Sequence, residues 1–189
     1  RKESSAASDV YKRQFHGRSI LNISLGGSEI HKQGFEPLLS GIKHAKYNDI
    51  KSVENLISNK TAAVIIEPIQ GEGGVREVPT FCLEAIRKLC DENEVLLIFD
   101  EVQCGMGRTG KMFAHQWSNI EPDIMTIAKA IGNGFPIGAC LTSKKVGEAM
   151  EFGSHGSTFG GNPLACSVGN AVLDLMTCLL YTSPSPRDG

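Results

Sequence analysis

Long apolar runs are missing from this 189-residue chain. Its hydrophobic residues, 41% of the total, come in bursts of about five to seven, far short of the roughly 18 that cross a bilayer as a helix. A membrane partner is therefore not expected. An excess charge of one sign is missing too: 19 basic against 21 acidic residues leave a net charge of -2, and no basic run offers a footprint for nucleic acid. The expected partner is a small molecule. Ligand spacing for a metal is also lacking. The six cysteines, Cys82, Cys90, Cys104, Cys140, Cys166 and Cys178, form no CxxC pair. The histidines, His16, His31, His44, His115 and His155, form no HxxxH, so no structural zinc is expected. Four of the cysteines lie in apolar or helical-looking surroundings, where cysteine acts as a small hydrophobe. That favours a reduced chain over a disulfide framework. The opening RKESSAASDVYKRQ has charge and serine but no apolar segment to act as a secretory signal. The expected location is the cytoplasm.

What is present is an alternation of short apolar runs with helical spacing, the pattern of an α/β fold with a mostly parallel sheet flanked by helices. Expected strands are 20–24 (ILNIS), 62–67 (AAVIIE), 95–100 (VLLIFD), 124–128 (IMTIA) and 137–142 (IGACLT). Their near-continuous apolar character is that of strands buried on both faces. Expected helices are 49–58 with Asp49 as N-cap, 79–94 with Pro79 near its start, and 162–176 with Asn162 as cap and Pro163 in the first turn. Length argues for one domain or a large piece of one, placed here at residues 15–176. The head 1–14 and the tail 177–189, which ends in Ser-Pro repeats, look foreign to this pattern and read as sequencing artefacts at the edges of a fragmentary gene.

Three expected strands end in groups that chemistry can use: Glu67, Asp100 and Lys129. In open α/β sheets the ligand crevice lies outside the carboxyl ends of the strands, so these groups should converge. Alone, each has an ordinary reading as a solvated charge or a turn cap. Together they suggest a cofactor site. A lysine amine in an apolar pocket loses its proton more readily and forms an imine with an aldehyde. Pyridoxal phosphate supplies such an aldehyde, and its pyridine nitrogen needs a buried carboxylate beside it, a role open to Asp100. HGSTFGGNP (155–163) sets Ser157, Thr158 and paired glycines just before a helix N-terminus, a setting that suits a phosphate.

A competing pattern is GMGRTGK (105–111), which satisfies the GxxxxGK of a nucleotide-binding P-loop. Met112 stands where such a loop needs Ser or Thr. Val102, Gln103 and Cys104 intervene between the acidic strand end and the glycines, and Asn119 and Pro122 interrupt the helix that should follow. The mismatches disfavour it.

With those residues assembled, the chain resembles the class III aminotransferases of the fold-type I pyridoxal-phosphate enzymes. FHGRSI (15–20), AAVIIEPIQGEGGV (62–75), LLIFDEVQCGMGRTG (96–110), PDIMTIAKAIGNGFPIGA (122–139) and HGSTFGGNPLAC (155–166) all match in order. The resemblance implies that this is the large cofactor-binding domain of such an enzyme. Lys129 would be the Schiff-base lysine and proton carrier. Asp100 would partner the pyridinium, Gln103 would bond the ring's phenolic oxygen, and Val102 and Phe15 would cover the two ring faces. Arg18 would grip the substrate α-carboxylate, Glu72 would pair with a second arginine, Ser157 would touch substrate, and Thr158 would bind the phosphate of the neighbouring subunit, which implies a homodimer. Glu67 is assigned a structural role.

The substrates implied are an amino donor and a 2-oxo acid: N-acetylornithine with 2-oxoglutarate, a step of arginine biosynthesis. Ornithine, succinylornithine and 4-aminobutyrate remain alternatives. The family's N-terminal phosphate loop and C-terminal domain have no counterpart in the sequence, which is read as an internal fragment. From a different class, an inert truncated product or an interaction module stays open.

Overall fold

The structure, a computed structural model, describes residues 6–9 and 12–181, with the backbone alone at 6–9 and 179–181. In chain order the elements are β1 (Ala6–Asp9), α1 (Ile20–Leu25), α2 (Glu29–Lys32), β2 (Lys43–His44), α3 (Ile50–Leu56), β3 (Thr61–Ile66), β4 (Ile69–Gln70), β5 (Arg76–Glu77), α4 (Thr80–Glu92), β6 (Leu96–Asp100), β7 (Ile124–Ile127), β8 (Ala139–Thr142), α5 (Lys144–Gly147) and α6 (Pro163–Tyr181). Short 3-10 turns at Ala114–Trp117 and Lys129–Ile131 complete the set.

Six strands form one sheet in the order β2-β1-β3-β6-β7-β8, and β4 and β5 make a separate antiparallel ribbon. Every pairing in the large sheet is parallel except β7 with β8. The expected fold class is what the chain adopts. Ile66 pairs with Phe99, and Phe99 with Met125, so β3, β6 and β7 end side by side and release their chains at the same edge.

The core explains why these strands read as apolar runs. Val64, Ile66, Leu97 and Phe99 are fully buried and pack with Cys82, Leu83, Ile86 and Cys90 of α4. That helix presents one stripe of apolar residues three and four apart, as an amphipathic helix lying on a sheet must. A fully buried side chain of this kind is worth roughly 1.5–3 kcal/mol relative to exposure. On α3, Asp49 caps the first turn by accepting from the Ser52 N–H at 3.0 Å. At α6, Asn162 accepts from the Ala165 N–H at 2.9 Å. Both caps match the sequence reading.

Two expectations are corrected. ILNIS is the helix α1, not a strand. Ser19 caps it by accepting from the Asn22 N–H, and Gly26 returns an N–H to the Asn22 carbonyl. A five-residue apolar run fits either period, and its caps decide. The head is not foreign throughout. Ala6–Asp9 lies between β2 and β3, hydrogen-bonded on both sides, and Gln14 is 2% exposed. Residues 1–5, 10, 11 and 182–189, where much of the expected foreign head and tail falls, lie outside the described residues. Within the tail, α6 runs on to Tyr181.

Candidate functional site

β6 ends in Asp100, and the chains leaving β3 and β7 bring Glu67 and Lys129 to either side of it. The segment from Gln14 to Gly17 crosses the same edge. An open cavity of about 390 Å³ results, lined by Phe15, His16, Gly17, Glu67, Glu72, Asp100, Val102, Gln103 and Lys129. It adjoins a wider hollow of about 1020 Å³, which shares Gln103 and Lys129 and is flanked by Gly71, Val75, Cys104, Arg108 and Thr109. An amine, a carboxylate, an amide and an aromatic ring thus share one small space.

Each group is held by local structure. Lys129 follows a strand that stops at Ile127, and its φ of 50° places a non-glycine residue in the left-handed region. Such a backbone costs of order 1–3 kcal/mol and persists where the surroundings enforce it. Gly132, just beyond, enforces the tight turn: a Cβ there would lie 2.0 Å from the Phe135 carbonyl oxygen. Asp100 is 6% exposed. Its Oδ1 accepts from the Val102 N–H at 3.0 Å, and its Oδ2 meets His16 Nδ1 at 2.8 Å. The Gln103 amide fills the space above Gly71, where a Cβ would lie 0.9 Å from Gln103 Oε1.

The neighbouring acids are committed to backbone. Glu67 is 4% exposed; its two oxygens accept from the Phe15 N–H at 2.6 Å and the Gly71 N–H at 3.0 Å. Burial pushes its carboxyl up from the ordinary range, against the pull of those two N–H donors. Glu101 accepts from the Ala114 and His115 N–H groups and from His115 Nδ1, at 2.6, 2.8 and 2.8 Å. It thereby closes the turn that carries Val102 and Gln103. Cys104, beside them, has its thiol pushed up to about 12, first by burial and then by Glu101, which makes it a poor nucleophile.

Of the residues picked from sequence, Phe15, Glu72, Asp100, Val102, Gln103 and Lys129 line the cavity together. Arg18 does not. It is exposed, with its guanidinium 5.4 Å from the Phe15 ring centre and Nη2 3.5 Å from His31 Nε2. Ser157 and Thr158 are exposed as well; the Ser157 hydroxyl accepts from the Gly160 N–H at 2.9 Å. The P-loop pattern forms turns and a four-residue 3-10 helix, with no long helix after it. His16 and Gly71 were missed. The phrase FHG, directly before Arg18, and the glycine that opens GEGG were the available signals.

All six cysteines are free, three of them buried, and no helix among the described residues is long and apolar enough to cross a membrane. Comparison with known proteins gives a consistent picture. A family model described as aminotransferase class-III matches residues 5–179. An acetylornithine aminotransferase from Mesorhizobium japonicum is 54% identical over 88% of this chain and 42% of its own length. A succinylornithine transaminase from Yersinia pestis is 51% identical over 88% of this chain and 40% of its own. The solved ornithine aminotransferase of Toxoplasma gondii, described as showing partial occupancy of PLP at its active site, superposes with a TM-score of 0.89. It is 34% identical and is covered over 94% of this chain and 42% of that one. The chain spans about two-fifths of the length of the relatives it matches.

Proposed function

The chain belongs to the class-III aminotransferase family, and from that premise we propose that residues 15–176 are a pyridoxal-phosphate site for amino transfer from an ω-amino acid such as N-acetylornithine to 2-oxoglutarate. The observation that carries this is the meeting of Lys129, Asp100, Gln103 and Phe15 in one cavity.

The residues fit the cofactor. Phe15 and Val102 supply apolar walls, Asp100 a buried anion, Gln103 an amide over a bare glycine, and Lys129 an amine. When bound, pyridoxal phosphate supplies an aldehyde to receive the amino group and a protonated pyridine ring to draw electrons from the substrate α carbon. Asp100 keeps a proton on the ring nitrogen, because a carboxylate paired at short range favours the charged partner. Gln103 donates its side-chain N–H to the phenolic oxygen. Lys129 Nζ anchors the group covalently, then takes a proton from the substrate α carbon and delivers it, as a general base and acid in turn. Phe15 and Val102 exclude water from the reacting face.

Arg18 suits the substrate carboxylate, for which a planar fork of donors is matched. Its seat on Phe15 leaves a short swing to the cavity. Glu72 and Ser157 are assigned to substrate, and Thr158 to the phosphate of a second copy. The exposure of Phe152, Phe159 and Leu164 around that loop supports a partner subunit there. The relatives' printed names support acetylated or succinylated ornithine as the donor over the free diamine.

The test is direct. Pyridoxal phosphate added to the chain should give a visible absorption band that borohydride fixes on the peptide carrying Lys129, and Lys129→Ala should abolish both. A donor panel then ranks N-acetylornithine, succinylornithine, ornithine and 4-aminobutyrate by bleaching of that band. A band fixed on another lysine, or none at all, defeats the reading.

A further inference from the structure

His16 is the one cavity group to which the chemistry above gives no task. Its side chain and that of Asp100 are 2% and 8% exposed. Nδ1 lies 2.8 Å from Asp100 Oδ2, and Nε2 lies 3.1 Å from Gln14 Oε1. Gln14 is itself 2% exposed. An ionised carboxylate only accepts hydrogen bonds, so the proton between the two rings of atoms sits on Nδ1. A charge-assisted bond of this length in a buried place is among the stronger ones available to a side chain.

The geometry points to His16 as a positioning residue: its Nδ1–H holds the Asp100 carboxylate ionised and in one orientation, while the Gln14 amide braces the imidazole from behind. The other Asp100 oxygen already takes the Val102 N–H, so the two bonds together fix the plane of the carboxylate. The amide of Gln14 offers an oxygen to a protonated Nε2 or, turned over, an N–H to a bare one, and serves either charge state of the ring. The ionisable groups that share the cavity with this pair are Glu67, Glu72 and Lys129. Of these Glu67 lies close enough to His16 for the two to feel each other's charge. The consequence rests on the proposed cofactor reading: the hold of Asp100 on a pyridine-nitrogen proton depends on a histidine that never touches the cofactor's reacting atoms. Supporting groups of this kind are worth about 10–100-fold in affinity at comparable sites.

Two arms test it. In the chain without cofactor, ¹⁵N NMR of the histidine side chains should show His16 protonated at Nδ1, with a resonance that moves when Asp100→Asn is made. A bare Nδ1 overturns the inference. With pyridoxal phosphate added, His16→Phe should weaken binding at least tenfold and displace the pH midpoint of the visible band, while His16→Asn, whose amide nitrogen can stand near the Nδ1 position, should restore most of both. His16→Phe with unchanged affinity and unchanged midpoint overturns it as well. So does a loss confined to folding, seen as a lowered thermal midpoint in both variants with a normal band in whatever remains folded. Should no form of the chain give the band on Lys129, the aminotransferase reading fails, and the NMR arm still decides the His16 to Asp100 bond.

Discussion

At the amino end of β6 and β7, the Asp123 carboxylate accepts from Arg87 Nη1 and the Leu97 N–H, both at 2.8 Å. Its backbone joins Leu97 on one side and Ser143 on the other. At the carboxyl end of the same two strands, Asp100 is held by one backbone N–H and an imidazole, and it faces a cavity. The partners differ in kind. Burial works against the Arg87 charge, but Asp123 and Asp91 outweigh it and push the guanidinium further up, so that pair is charged at any working pH. Around Asp100 and Glu67 the partners are a titratable ring and amides, and burial pushes Glu67 up. One end uses a carboxylate to close the structure. The other keeps its carboxylates short of partners, which costs stability and leaves charge available for chemistry.

The largest test of this contrast is Asp123→Ala. It strands a guanidinium and the Leu97 N–H at a spot where the Asp123 side chain is 25% exposed. A fully buried pair costs about 3–5 kcal/mol when one partner is removed, and the partial exposure places this one near the lower figure, at about 3 kcal/mol. Urea unfolding should show that loss, with the affinity of the folded fraction for pyridoxal phosphate unchanged. A variant of full stability that no longer bound the cofactor would erase the division between the ends.

Gly71→Ala should do the reverse with a smaller effect. The new Cβ would overlap Gln103 Oε1, and since Gln103 is an exposed, flexible side chain, it yields at little cost to folding. Its amide then leaves the cavity. Affinity for pyridoxal phosphate should fall about tenfold, or roughly 1.4 kcal/mol, while the urea midpoint barely moves. Gln103→Ala made on top should add almost nothing, because both changes remove one contact.

How much of this was legible in the chain differs between the ends as well. Asp100 and Lys129 stood out because a buried parallel strand reads as an unbroken apolar run, and a charge at its end is conspicuous. Helix α4, expected at 79–94 and found at Thr80–Glu92, was legible for the same reason: its apolar stripe is long enough to have a period. Ala6–Asp9 carried no such signal. Ala-Ala-Ser-Asp has no strand preference of its own and becomes β1 by pairing with β3. His16 was unreadable because its partner lies 84 residues away. The Arg87 to Asp123 staple crosses 36 residues and was hidden in the same way. Ser157 and Thr158 were read by resemblance alone. Their part rests on a second chain, and within one chain they stay exposed and apart from the cavity.

The finest test asks to which end Glu67 belongs. It is buried and doubly hydrogen-bonded like Asp123, yet its carboxyl is raised, with burial as the main cause. A raised native value means the folded chain holds the proton more tightly than the unfolded one. Stability contributed by this group is then greatest below the ordinary value of 4.5 and declines as pH rises through the native value above it. Glu67→Gln shifts the curve by a pH-independent amount, since an amide nitrogen cannot accept the Gly71 N–H, and it removes the decline. Urea unfolding of both proteins from about pH 4 to about pH 8 should therefore show the wild-type chain losing ground to the variant as pH rises. A gap that stays level or widens in favour of the wild type would mean that the two backbone N–H groups outweigh burial. Glu67 would then be a closing carboxylate of the Asp123 kind, set among the reactive ones.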